Sequence, residues 1–247
     1  MSRLDRFLVE KGYFKSRSQA QLAINEGRIK VNGRIITKNG FDIAENDLIK
    51  YEKDEHQFVS RGGYKLLAAL EKFNIDLKGK TVLDIGASTG GFTDCARQHG
   101  AKKIYAYDVG HDQLADELQH DERIISKEGV NCRNLTAEDF AEPIDFICMD
   151  VSFISCTKML KTITDTLRNN GEAVILFKPQ FEVGSQYLNR QGVVINDKIT
   201  RDKLLNTLEL INSYGMHWIN KMESPIKGGD GNREYLIYLR KDNNQAL

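Results

Sequence analysis

Four charged residues stand where apolar runs begin or stop. Asp150 follows DFICM, Lys178 follows EAVILF, and Glu234 opens the last apolar run, in GNREYLIYL. Lys65 lies early in the helical segment YKLLAALEKFN. In an open α/β sheet, ligands sit beyond the carboxyl ends of the strands. A lysine directly after a buried strand points into that crevice, and titratable groups gathered there are candidates for acid–base work. Taken singly, each has an ordinary alternative. Asp150 could cap a loop, Lys178 could reach for water, Glu234 could be an edge charge, and Lys65 could be a solvated helix residue. Several charges at the mouth of one crevice are harder to explain in that way.

A glycine-rich turn faces the same crevice. TVLDI leads into Asp84-Ile85-Gly86-Ala87-Ser88-Thr89-Gly90-Gly91-Phe92, and a helical segment follows. Glycines at the first strand-to-helix turn remove the Cβ atoms that would keep a ligand off the backbone. The spacing is neither the G-x-G-x-x-G of dinucleotide sites nor that of a P-loop. D-x-G with a further Gly-Gly better fits the S-adenosylmethionine loop of class I methyltransferases, since that cofactor has no phosphate to cradle. Seventeen residues after Gly91 the next strand ends at Asp108. That position suits a carboxylate accepting hydrogen bonds from ribose hydroxyls. The alternative is a plain tight turn with a strand-end aspartate.

The elements that must hold these residues follow from periodicity. From residue 81 the predicted strands are TVLDI, KIYAY, RIISK, DFICM and EAVILF. Helical segments fall near 92–98, 112–119, 156–168 and 198–213, and two strands near 216–222 and 234–239 close the chain. Such alternation predicts a doubly wound parallel sheet with a partly antiparallel edge. The front of the chain reads as a separate α+β module. Ser2 can cap a helix carrying Leu4, Phe7 and Leu8, and Gly12 can end it. Ser16 can open a second helix, with Ala20 and Ile24 inward. Asn32-Gly33 between RIKV and RIIT is a strong hairpin signal. A third strand falls near Leu48–Tyr51. The predicted domains are residues 1–53 and 63–247, joined by a polar linker over 54–62.

Composition narrows the function. The 247 residues are 40% hydrophobic and 28% charged, with 3 prolines, which is ordinary for a globular chain. No apolar run approaches the roughly 18–20 residues of a membrane span, and the first residues carry no secretory signal pattern. The four cysteines lack C-x-x-C spacing, which fits a reducing cytosol, and the histidines show no metal spacing. Residues 1–53 carry 11 Lys+Arg against 7 Asp+Glu, a net of +4, and the remainder carries 24 against 28, a net of −4. A basic front module suggests an anionic partner.

In order, SRGGYKL, DIGASTGGFTD, YDVG, MDVSFIS, FKPQFEVG and GNREYL resemble the TlyA family of ribosomal RNA methyltransferases, historically also labelled haemolysins. The larger part is similar to FtsJ-type methyltransferases. The segment from RLDRFLVEKGYF to VNGRIITKNG resembles the RNA-binding domain first seen in ribosomal protein S-four. The resemblance spans nearly the whole chain, and FKPQFE and the SRSQA and VNG pair carry most of its specificity. It implies an α/β, Rossmann-like class I fold with a mostly parallel seven-stranded sheet. It also implies 2′-O-methylation of a cytidine ribose in ribosomal RNA by a Lys-Asp-Lys-Glu tetrad, here Lys65, Asp150, Lys178 and Glu234.

On that resemblance, Gly86, Ala87, Ser88, Gly90, Gly91, Phe92, Asp108, Val109 and Asn131 would hold S-adenosylmethionine, with Phe92 near its methionine part and Asn131 facing adenine. Arg3, Arg17, Gln19, Lys30, Asn32 and Arg34 would contact RNA phosphates and sugars. No metal is implied. The expected partner is ribosomal RNA or a ribosomal subunit, and the short chain points to the large subunit. A cytoplasmic monomer is expected. HQFVS, in the linker, departs from the family pattern. Three rivals are weaker. A membrane-lytic protein lacks a spanning or strongly basic amphipathic segment. An RNA-binding assembly factor with an inactive fold would not need the tetrad residues, and a nicotinamide dehydrogenase would need different glycine spacing.

Overall fold

The computed structural model describes residues 2–14, 17–25, 27–44, 46–51, 57–229 and 231–243. The chain divides into two compact units, Met1–Gln57 and Phe58–Leu247.

In the first unit, β1 (Ser2–Arg3) leads into α1 (Leu4–Glu10), and α2 (Arg17–Asn25) follows. Leu4 and Leu8 recur at helical spacing and are fully buried against Ala20, Ala23 and Ile24. Ser2 does not cap α1. It pairs instead with Ile43 in β4 (Asp42–Ile43), and the N-cap position falls on Arg3, which makes no side-chain cap bond. Ser16 lies outside the described residues. The expected hairpin forms between β2 (Ile29–Val31) and β3 (Arg34–Ile35), with Asn32 and Gly33 at φ 49° and 80°. Both angles are what a two-residue turn matched to strand twist requires. β5 (Ile49–Tyr51) pairs along the other edge of β2.

The second unit begins inside the stretch read as linker. Phe58 is 3% exposed and packs against Gly63, where a Cβ would stand 2.4 Å from its ring. Burying such a ring stabilises by about 2 kcal/mol, so the apolar residue in HQFVS belongs to this core. After α3 (Gly62–Phe73), strands and helices alternate: β6 (Thr81–Ile85), α4 (Gly91–Gln98), β7 (Lys103–Tyr107), α5 (Asp116–Gln119), β8 (Ile124–Lys127), β9 (Ile144–Met149), α6 (Leu160–Thr166), β10 (Leu167–Phe177), α7 (Pro179–Glu182), α8 (Asp197–Ser213), β11 (Met216–Glu223) and β12 (Tyr235–Lys241). The seven-stranded sheet has the order β11-β12-β10-β9-β6-β7-β8. Only the pairings of β12 are antiparallel.

Successive strand residues feed opposite faces. Val82, Phe146, Val174 and Leu236 pack with α3 and α4, while Leu83, Ile147, Ile175 and Ile237 pack with α6 and α8. Two helical expectations fall short. Over 112–119 only Asp116–Gln119 is helical, because Glu128 accepts the backbone N–H groups of Asp112, Gln113 and Leu114 and holds them in a loop. Over 156–168 a short 3₁₀ turn at Cys156–Met159 precedes α6, and β10 starts at Leu167.

Candidate active site

Strand order explains why the four charged residues meet. β12, β10 and β9 are neighbours, and β12 runs antiparallel, so its start lies at the carboxyl ends of the other two. Phe177 is in register with Tyr235, which sets Lys178 beside Glu234. Asp150 follows β9, its N–H bonded to the carbonyl of Ile85 at 3.0 Å. Lys65 comes from the first turns of α3.

The side chains alternate in sign. Lys65 Nζ lies 2.6 Å from Glu234 Oε2 and 3.8 Å from Asp150 Oδ2. Lys178 Nζ lies 2.5 Å from Asp150 Oδ1 and donates to Ser152 Oγ at 2.8 Å. Lys65, Lys178 and Glu234 are all under 10% exposed. A buried charge without a partner is costly, so this pairing is what lets two lysines stay in the interior.

A cleft of about 670 Å³ opens beside Asp150. Of the residues expected at a cofactor, Gly86, Ser88, Asp108, Val109 and Asn131 line it. Gly86 has φ 83°, and a Cβ there would stand 2.5 Å from the Asp150 carbonyl oxygen. Asp108 accepts from Ser88 N at 2.8 Å and from Gly110 N at 2.7 Å, which fixes its carboxylate. Each oxygen keeps a second lone pair for a ribose hydroxyl. Volume, glycine cradle and fixed carboxylate thus fit a nucleoside-bearing cofactor.

Ala87, Gly90, Gly91 and Phe92 are not in the lining. Phe92 is 3% exposed in the core between α3 and α4. Gly90 makes room for Leu114 and Leu118, and Gly91 for the backbone of α3. Asn131 accepts from Arg133 N and Nε and caps a short turn. The sequence reading missed Gln113, Ser152, Phe153 and Lys158 in the lining. Phe153 is 92% exposed at φ 63°, its ring 5.3 Å from that of Phe181; MDVSF marked the segment but nothing in it marked the angle. Cys132 also lines the cleft, where burial pushes its thiol up to about 12, away from a thiolate nucleophile.

The residues expected at RNA fall into two groups within the first unit. Arg3 donates to Asp5 at 3.1 and 3.2 Å, Arg17 donates to it at 2.8 Å, and Gln21 at 2.7 Å. Asp5 is fully buried, while both guanidiniums are about half exposed. Burial alone would raise the Asp5 carboxyl, but these donors hold it well below the usual range. Asp5 was missed because an aspartate in a first helical turn reads as a dipole partner. Asn32 and Arg34 lie exposed about the hairpin turn, and Lys30 and Gln19 are half-buried. The Asn32 amide is engaged locally, donating to Asp47 and accepting from Leu48 N, so its evident work is to make the turn.

Residues 58–241 match the FtsJ-like methyltransferase family and residues 2–49 match the S4 domain. The chain is 44% identical over 239 residues to hemolysin A of Brachyspira hyodysenteriae, covering 96% of this chain and 99% of that protein. It is 36% identical over 247 residues to the 16S/23S rRNA (cytidine-2′-O)-methyltransferase TlyA of Mycobacterium tuberculosis, covering 100% and 92%. It is 37% identical over 205 residues to the 23S rRNA (cytidine-2′-O)-methyltransferase TlyA of Campylobacter jejuni, covering 83% and 79%. Among the described residues no helix is long and apolar enough to cross a membrane.

Proposed function

The chain belongs to the TlyA family of FtsJ-like rRNA methyltransferases, and from that premise we propose that it methylates the ribose 2′-oxygen of a cytidine in ribosomal RNA. The observation that carries this reading is the alternating chain Glu234–Lys65–Asp150–Lys178 at the edge of the cleft. Bound S-adenosylmethionine would supply an electrophilic methyl group on sulfur. Gly86, Ser88, Asp108, Val109 and Asn131 would hold it, with Asp108 accepting from the ribose hydroxyls.

The residues of this chain supply position and proton handling. A ribose hydroxyl is a weak acid, so its proton must be steered away as its oxygen becomes a nucleophile. Lys178 is the group assigned to that oxygen: its ammonium donates to the oxygen as charge develops there, and the displaced proton passes to solvent. Asp150 and Ser152 hold its Nζ from two sides, and a lysine ammonium has three donors. Glu234 holds Lys65, and Lys65 in turn faces Asp150, so the cluster resists rearrangement when substrate enters. Such preorganisation is where positioning gains its rate.

Arg3, Arg17 and Arg34 of the first unit, with Lys30, are the proposed RNA phosphate partners, which recognise shape more than sequence. The substrate proposed is large-subunit RNA, since 23S rRNA is named for both rRNA-modifying relatives above. All four charged residues come from one chain, so no second copy is needed, and a ribosomal substrate fits a cytoplasmic enzyme. The test is site-resolved 2′-O-methylation mapping of unmodified ribosomal subunits incubated with the protein and S-adenosylmethionine. One new methylated cytidine in large-subunit RNA is expected. A further site in the small subunit would overturn the restriction to the large one. No methylation on either subunit, with cofactor binding measured, would overturn the enzymatic reading.

A further inference from the structure

Glu234 is the most buried member of the cluster, at 2% exposure, and it sits at the end of a tight turn. Within that turn Ser224 N donates to the carbonyl of Glu234 at 2.8 Å, Gly228 N to that of Asn232 at 2.9 Å, and Gly231 N to that of Gly228 at 2.8 Å. The turn folds Gly228 directly under the Glu234 side chain. A Cβ on Gly228 would stand 2.5 Å from Glu234 Oε1 and 3.1 Å from its Cδ. The φ of Gly228 lies outside the left-handed region, so the backbone itself accepts alanine. What alanine would displace is the end of one side chain, the one bonded to Lys65 Nζ at 2.6 Å.

Asn232 fastens the turn from its other side. It is 2% exposed, and its amide acts as a stretch of backbone would. Its Oδ1 accepts from Val194 N at 2.9 Å and its Nδ2 donates to the carbonyl of Gly192 at 3.0 Å. Both bonds run to the loop that follows α7, the helix directly after Lys178. The turn bearing Glu234 is therefore tied to the segment descending from Lys178.

We infer that Gly228 and Asn232 are positioning residues for Glu234: Gly228 leaves the space its carboxylate fills, and Asn232 secures the turn that carries it. The inference rests on the proposed catalytic role of Glu234. A carboxylate moved by an ångström costs rate while leaving the cofactor cleft intact, since neither residue lines that cleft.

The test compares Gly228→Ala, Asn232→Ala and Glu234→Ala with the wild type. Initial rates of methyl transfer from radiolabelled S-adenosylmethionine to unmodified ribosomal subunits give kcat and KM, with cofactor Kd and Tm measured alongside. Gly228→Ala and Asn232→Ala are expected to lower kcat by about 10- to 100-fold, with cofactor Kd unchanged and a fall in Tm, because a displaced Glu234 leaves Lys65 less well paired. A kcat within about twofold of wild type for either would overturn the inference. So would a fall in cofactor affinity in step with kcat for Gly228→Ala, which would mark a structural role. Full activity of Glu234→Ala would remove the catalytic reading beneath the inference. An inactive Glu234→Ala beside an active Gly228→Ala would remove the inference alone.

Discussion

Lys178 Nζ is held by Asp150 and Ser152, a cost in side-chain entropy that makes sense where a third partner is to be positioned. Lys178→Ala is expected to lower methyl transfer by at least about 10²-fold. Cofactor Kd by calorimetry should stay within about twofold, because Lys178 does not line the cleft. Substantial residual turnover would remove Lys178 from its assigned role. Asp84 offers a second test, on stability. Burial pushes its carboxyl up to about 7; the hydroxyl of Thr93 opposes that, and the nearby charge of Asp150 adds to it. In the unfolded chain the proton leaves near pH 4. Between those values the folded state holds a proton that the unfolded state has lost, so stability is full below about pH 4 and declines as pH rises through 7. The full effect is on the order of 4 kcal/mol. Urea unfolding should show this slope in the wild type and lose it in Asp84→Asn. Equal slopes would place Asp84 ionised in the fold. Asp150, Lys178 and Glu234 stood out because each stands beside a strand end, while Lys65 lies on a helix and is singled out chiefly by the family resemblance. Asp84, one residue inside a strand, gave no sign that its second oxygen would lack a hydrogen bond.

At the scale of elements, the turn from β6 into α4 both admits a ligand and packs the core. Gly86 serves the first purpose. Gly86→Ala combines a left-handed φ, costing about 1–2 kcal/mol, with a Cβ 2.5 Å from the Asp150 carbonyl. It should weaken cofactor binding about tenfold or more and lower Tm; unchanged values of both would show that the turn relaxes freely. Gly90, Gly91 and Phe92 serve the second purpose, and their proximity to Gly86 is why they read as cofactor residues. The fate of the Phe92 side chain depends on where α4 points it, which spacing within a glycine run does not reveal. The hairpin at Asn32-Gly33 was legible because the turn imposes its own residue types. The loop before α5 was not, since Glu128, 14 to 16 residues away, decides it.

For the whole molecule, the compact boundary at Gln57 and Phe58 divides the chain, and the proposed function assigns RNA binding to the first unit. Removing residues 1–57 should leave cofactor Kd unchanged while weakening binding to ribosomal subunits. It should also flatten the salt dependence, by about 0.7–0.9 in slope for each phosphate no longer neutralised. RNA affinity that survives the deletion would assign RNA binding to the second unit. The division itself was visible in the charge balance and in the change from a mixed to an alternating pattern near residue 60. Its edge was not, because a single buried aromatic, Phe58, carries it.

The insertion of β12 between β10 and β11 has a consequence in time. Lys65 and Glu234 are bonded across 169 positions of sequence, so their pairing closes one of the longest loops in the molecule, and such pairings form late. During synthesis the parallel strands from β6 to β10 emerge before the residue that neutralises Lys65. A chain interrupted between Lys178 and Glu234 holds two lysines against one carboxylate, with no way to finish the alternation. On the proposed reading of the cluster, competence for methyl transfer waits on β12 and not on the parallel strands that precede it.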